Sequence, residues 1–191
     1  MEEKGGDEKA FRACMNEPSL VASAIRAERY SSPHDPSMLS APDRARFEAM
    51  KASPFNQKTI AEFHDKKGRG VGMWGDNLLL LTAQGAKSGE LITTPLVGRR
   101  EGSGYVVVAS KGGAPMHPSW FGNVTVNPDV EVEVVTDSGT EKFTARALVV
   151  ESRAERDRLY KQMVKIWPSF ADYEKRTERL IPVVILERQA S

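Results

Sequence analysis

Between residues 78 and 127 the chain alternates extended apolar runs with short glycine-containing polar turns. That pattern belongs to a sheet folded back and forth, not to a bundle of helices. The run Leu78-Leu79-Leu80-Leu81-Thr82 feeds the turn Gln84-Gly85-Ala86-Lys87-Ser88-Gly89, and the chain returns through Thr93-Thr94-Pro95-Leu96-Val97. A further strand, Tyr105-Val106-Val107-Val108-Ala109, ends in a second turn, Ser110-Lys111-Gly112-Gly113, ahead of His117-Pro118-Ser119-Trp120-Phe121-Gly122-Asn123. Two strands thus each end in a glycine-containing turn that carries one lysine and one serine. Backbone N–H groups, a cation and a hydroxyl gathered at strand ends suit an anionic ligand. A neighbouring tryptophan suits a flat ring.

The spacing predicts strands over 78–83, 92–100, 104–110, 130–134, 140–150 and 183–188, with hairpin turns at Glu101-Gly102-Ser103-Gly104 and Asp137-Ser138-Gly139. Val130, Val132 and Val134 alternate with Glu131 and Glu133, the mark of a strand with one face in water. Ser53 before Pro54 predicts a helix start, with Phe55, Thr59, Ile60 and Phe63 on one face. A short helix is expected from Pro118 to just before Asn127-Pro128. Ser152-x-x-Glu155 is a capping-box signature opening a helix whose face carries Leu159, Met163 and Ile166. Pro168 should interrupt it, and a second short helix should run over 170–179. Several antiparallel strands with a few inserted helices define an α+β domain of β-barrel type. Residues 1–52 read as a separate N-terminal helical extension, with weak helical patterns at 18–30 and 42–50 around a Pro/Ser-rich linker; the barrel domain is expected over 53–191.

With 191 residues, 40% hydrophobic and 28% charged, the chain is long enough for one core of useful size. A formal net charge of +1 and no long basic block argue against a nucleic-acid partner. Cys14 is the one cysteine, which excludes an internal disulfide, and no Cys/His spacing suggests a metal site. No apolar run approaches the ~20 residues that span a bilayer. The polar acidic start is unlike a signal peptide, so a cytoplasmic location is the expectation.

The ordered series Gly85-Ala86-Lys87-Ser88-Gly89, Thr94-Pro95-Leu96, Tyr105 through Gly113, Pro118 through Pro128, and Ile181-Pro182-Val183-Val184-Ile185-Leu186-Glu187-Arg188 resembles the deazaflavin-dependent nitroreductase family, the coenzyme F420-dependent branch of the flavin-type split β-barrels. The resemblance covers roughly residues 55–188. It implies a mostly antiparallel split β-barrel and an F420-dependent reductase that transfers a hydride to an activated alkene, a quinone or a nitro compound. By family position, Lys87, Ser88 and Gly89 would hold the coenzyme's phosphate and tail. Thr94, Pro95, Ala109, Ser110, Lys111 and Gly112 would line the ring and tail, Trp120 and Asn123 would face the cofactor, and Ser110 and Tyr173 would stand nearest the chemistry.

Each motif has a plainer reading. A Gly-Lys-Ser turn is by itself more often a solvated hairpin turn. Trp120 and Phe121 after a helix-starting proline are more often core. His117 is a candidate proton donor, but a histidine at a helix start is more often at the surface. Two departures from the family stand out. Ala86 and Ile92 occupy positions where the family has arginines, and each lost guanidinium removes a bidentate anion clamp. Lys66, Lys67, Arg69, Arg99 and Arg100 are candidate replacement cations, although most such residues are solvated surface. Two alternatives therefore stay open: an FMN-binding split-barrel reductase, or a non-catalytic binder of a hydrophobic small molecule or lipid. A homodimer is also left open.

Overall fold

A computed structural model describes residues 53–190. The helices and linker expected before residue 51 lie outside the described residues. Six strands form a closed antiparallel barrel: β1 Leu78–Gln84, β2 Leu91–Glu101, β3 Gly104–Val108, β4 Asp129–Thr136, β5 Gly139–Val149 and β6 Val183–Arg188. Their order around the barrel is β1-β2-β3-β6-β5-β4. Four helices accompany them: α1 Pro54–Asp65, α2 Ser119–Val126, α3 Arg153–Ile166 and α4 Ser169–Lys175. No described helix is long and apolar enough to cross a membrane.

Alternate residues of each strand fill the barrel, as the two-residue period requires. Leu79 and Leu81 meet Val132 and Val134 there, with Val107, Ala145, Ala147, Val184 and Leu186 opposite. What covers the outside differs from strand to strand, and this explains the sequence patterns. Leu78 and Leu80 on the outer face of β1 are capped by Phe63 of α1 and by Val71. Val106, Val108, Val183 and Ile185 of β3 and β6 are capped by Leu159, Tyr160 and Met163 of α3. Strands buried on both faces read as continuous apolar runs. On the outer face of β4, α1 reaches Glu133 through His64 at 3.2 Å and Glu133 is buried, not in water as its place in the alternation suggested; among the described residues no helix lies over Asp129 and Glu131, which are exposed. These two carry a ladder of ion pairs to β5, Asp129–Arg146 at 3.1 Å and Glu131–Lys142 at 3.4 Å.

The end of the barrel that bears the β2–β3 and β4–β5 hairpins is plugged. The Arg188 guanidinium lies 3.8 Å from the Phe143 ring centre and pairs with Glu141 at 2.6 Å, and Tyr105 packs beside Phe143. The other end is not symmetrical with it. β1 pairs with residues 91–97 of β2, whereas β3 pairs only with residues 98–101. Among the described residues, the first seven residues of β2 are therefore strand-paired on one side only. At ~3.3 Å per residue this open edge is about 20 Å long.

Several expectations need correction. Ser53 precedes α1 but makes no side-chain capping bond, and Phe55 is 58% exposed, packing edge-on to Trp74 instead of joining the buried face. β3 stops at Val108, so Ser110 stands beyond the strand. The last helix is α4, Ser169–Lys175, shorter than the expected 170–179. The capping box is half made: Ser152 Oγ accepts from the Glu155 N–H at 3.4 Å, but the Glu155 carboxylate accepts from Arg158 at 2.8 Å.

Arg156 of α3 is 2% exposed. Its Nε donates to the Ile181 carbonyl at 2.9 Å, and its Nη1 donates to Glu174 at 2.6 Å and Asp157 at 2.8 Å. The guanidinium also lies 4.2 Å from the Tyr160 ring centre. It thereby ties α3 to α4 and to the start of β6. Arg156→Ala leaves those acceptors without their donor and opens space under the helix, so a loss of about 2–4 kcal/mol is expected. Denaturant unfolding of the two proteins checks this, and a change below about 1 kcal/mol would contradict it.

Candidate active site

β1 and β3 both run antiparallel to β2, so their C-terminal ends point the same way. The turn after β1 and the loop after β3 therefore rise at the open end of the barrel, beside the unpaired edge of β2. α2 joins them. The Asn123 side-chain oxygen accepts from the Ala86 N–H at 3.1 Å, and Asn127 Nδ2 donates to the Gln84 carbonyl at 3.2 Å. Within the turn, the Gly85 N–H donates to Glu90 O at 2.8 Å and the Glu90 N–H donates to Ser88 Oγ at 3.3 Å. Lys87, Ser88 and Gly89 are exposed.

The loop after β3 has an unusual backbone. Lys111, Gly112 and Gly113 have consecutive φ values of +48°, +65° and +80°. Gly113 is hemmed in: a Cβ there would stand 2.7 Å from the Tyr173 carbonyl oxygen and 2.9 Å from Arg176 Cβ. A Cβ on Gly112 would meet no atom within 4 Å. Among the described residues, the loop is thus packed on α4 through one glycine and uncrowded at the other. Ser110 is 8% exposed and its side chain makes no capping bond to the turn that follows it.

His117 is not at the surface, as its position suggested, but 5% exposed. Its Nδ1 lies 2.9 Å from Arg179 Nη1. A guanidinium only donates, so Nδ1 accepts and the ring proton sits on Nε2. The ring packs against Phe121 with centroids 5.0 Å apart. Arg179 is itself half-buried, and burial pushes its pKa down to about 10, which still leaves a cation at neutral pH.

Among the residues named from the sequence, Thr94 and Pro95 lie on the open stretch of β2, opposite Leu81 and Leu80. Ala109 is fully buried at the head of the barrel core. Trp120 is 5% exposed and packs edge-to-face on Phe121 within that core, so its helix reaches the site while its ring lies beneath it. Tyr173 rests its ring against Phe170 at 5.9 Å and carries the Arg176 guanidinium 5.5 Å from its ring centre. Four of the five candidate stand-ins for the lost arginines, Lys66, Arg69, Arg99 and Arg100, make their contacts elsewhere. Arg99 pairs with Glu101, and Arg100 reaches the Gly102 carbonyl, both at the plugged end. Lys66 pairs with Glu62, and Arg69 reaches Thr136 and Asp137 beside the β4–β5 hairpin. The cations that α4 and its exit bring to the loop are Arg176 and Arg179, which sequence reasoning missed. A cavity of about 450 Å³ between α3 and α4, lined by Tyr160, Lys161, Val164, Ala171, Glu174 and Lys175, holds none of the expected site residues.

Fold and site together define an antiparallel barrel opened along one strand, with donor-rich turns at both ends of the opening. The family model for F420H(2)-dependent quinone reductases matches residues 56–188. A Mycobacterium tuberculosis protein named F420H(2)-dependent quinone reductase Rv1261c is 39% identical over 116 residues, spanning 58% of this chain and 73% of its own. A solved F420-H2 dependent reductase, FDR-A, is 41% identical with a TM-score of 0.52, covering 58% of this chain and 94% of the other. A second solved structure, described as a domain-swapped dimer, is 36% identical with a TM-score of 0.54, covering 78% of this chain and all of the other. The chain belongs to the F420H(2)-dependent quinone reductase family. It is an oxidoreductase of split-barrel fold whose cofactor is coenzyme F420, and the FMN and non-catalytic alternatives give way.

Proposed function

We propose that this protein holds reduced F420 along the open edge of β2 and reduces a quinone-type acceptor beside it. The observation that carries the reading is the one-sided pairing of residues 91–97, bracketed by the Lys87 turn and the Ser110 loop. An elongated ligand with a ring at one end and anionic groups along its tail fits such an edge. Gly112 leaves room for close approach among the described residues. When bound, reduced F420 supplies a hydride, and a quinone that accepts it needs one proton to become a hydroquinone.

The chain's own residues bind, orient and exclude water. Lys87, Ser88 and Gly89, with Lys111 at the other end, hold anionic groups by charge and donors. Asn123 fixes the Lys87 turn through its bond to Ala86. Thr94, Pro95, Ala109, Ser110 and Gly112 shape the floor and wall of the cleft, and Trp120 supports the floor from the core. Tyr173, whose backbone packs on Gly113, is the proposed proton donor. A homodimer is the proposed assembly, supported by the 36% identical dimer and tested by light scattering.

Following the oxidation of reduced F420 by a soluble quinone, with and without the protein, tests the reading. Protein-dependent oxidation supports it, and no acceleration with any quinone, alkene or nitro acceptor defeats it. Tyr173→Phe should lower turnover about 10²-fold while coenzyme affinity changes little, because a general acid acts only in the transition state. Equal turnover would assign the proton to water or another group.

A further inference from the structure

We infer that Arg179 is a positioning residue which holds the Ser110–His117 loop in its coenzyme-binding shape before the coenzyme arrives. The inference rests on the proposed placement of F420 beside this loop.

Arg179 lies between α4 and β6, yet its side-chain hydrogen bonds all go to the loop after β3 and its immediate surroundings. Nε donates to the Ala114 carbonyl at 2.8 Å, Nη2 to the Ser110 carbonyl at 2.8 Å and to Ala109 at 3.2 Å, and Nη1 to His117 Nδ1 at 2.9 Å. One planar cation thus grips the loop where it leaves the barrel, after its turn, and at its last residue before α2. No carboxylate is among its partners in the described residues. A half-buried guanidinium without a counter-charge is costly, and here four neutral acceptors of the loop offset that cost.

The loop needs such a clamp. A lysine at φ +48° followed by two glycines at positive φ is a conformation that persists only where its surroundings determine it. The two hydrogen bonds inside the turn, Gly113 N–H to Ser110 O and Ala114 N–H to Lys111 O, are 3.0 and 3.2 Å long. Arg179 turns the carbonyls of Ala109, Ser110 and Ala114 toward itself. Its positive charge stays within the loop, where it favours an anionic ligand over a neutral one. Only an arginine serves: lysine keeps the charge but lacks the planar fork that reaches four acceptors at once.

The test uses the full chain, with F420 affinity read by fluorescence titration and loop order read by amide hydrogen exchange. In the wild type without coenzyme, the Gly113 and Ala114 amides should already be protected. Arg179→Lys and Arg179→Met should each lose that protection and raise the Kd by about tenfold or more, the value of one charge-assisted contact, while amides of β1, β4 and β5 keep theirs. Arg179→Lys should not rescue affinity. The histidine 15N spectrum should show the His117 Nδ1 signal shifting in both variants. The inference is overturned if either variant folds and its Kd stays within about twofold of wild type. It is equally overturned if the wild-type loop exchanges freely until coenzyme is added, a result that does not depend on any variant folding. Wild-type protein that fails to bind F420 at all would instead defeat the proposed function, while the exchange data would still report whether Arg179 orders the loop.

Discussion

Gly113→Val should cost both stability and coenzyme binding. The residue sits at φ +80°, and a Cβ there would stand 2.7 Å from the Tyr173 carbonyl oxygen and 3.1 Å from Tyr173 Cα. These are backbone atoms of α4 and cannot swing aside. A β-branched residue at positive φ adds about 1–3 kcal/mol of strain, and overpacking adds a similar amount, so a loss of about 2–5 kcal/mol is expected. For a domain of this size that lowers the thermal midpoint by roughly 10 °C. Relief by pushing α4 away would move Tyr173 and Arg176 off the loop, so F420 affinity should fall as well. Gly112→Val is the internal control. It shares the positive φ of +65° but meets no atom within 4 Å, so it should carry the backbone strain alone. Calorimetry of both variants, with coenzyme titration, measures the difference; equal effects would contradict the packing argument.

Lys87→Ala should weaken F420 binding tenfold to a hundredfold, the worth of a charge-assisted contact of roughly 1.5–3 kcal/mol. The turn itself should survive, because Asn123, Asn127 and the Gly85 N–H hold it through backbone atoms that the substitution leaves alone. The loss therefore reports on the lysine's charge and not on a collapsed loop. Because Lys87 is exposed, the effect should shrink as salt is raised. An unchanged Kd at low salt would remove Lys87 from the site.

The barrel was legible in the sequence because three of its pairings, β1–β2, β2–β3 and β4–β5, join consecutive strands across glycine-containing turns; the β1–β4 and β3–β6 pairings that close it join strands far apart in sequence and leave no such signal. The Leu78–Leu81 run even records a strand that a helix covers, and the alternation of Val130 and Val132 with Glu131 one that meets water there. The open edge of β2 was not legible. Thr94 and Pro95 look like any strand interior, and only the offset between the β1 and β3 pairings leaves them one-sided. Register is a relation between three strands, and no one of them carries it alone.

The loop clamp was hidden for a different reason. Arg179 ends the polar stretch Glu174-Lys175-Arg176-Thr177-Glu178, which reads as solvated surface, and His117 lies 62 positions away. Burial of an arginine among backbone carbonyls leaves no periodic trace. The one available signal was placement, since Arg179 stands just before the Leu180-Ile181-Pro182 approach to β6, next to β3. The search for replacement cations failed likewise. Arg99 and Arg100 are near Thr94 in sequence, but five or six residues along a strand carry them about 16–20 Å toward the plugged end. Trp120 shows the reverse case, a motif residue in the expected helix whose ring serves the core.

The central claim is that one ligand spans both turns along the open edge of β2. The most direct measurement is the amide NMR spectrum of the full chain as F420 is added, with FMN added to a parallel sample. The account predicts that amides of residues 86–89 and 110–113 shift together and saturate at the same F420 concentration, with little response to FMN. Shifts confined to the α3–α4 cavity around Tyr160 and Glu174, or to one turn without the other, would contradict it.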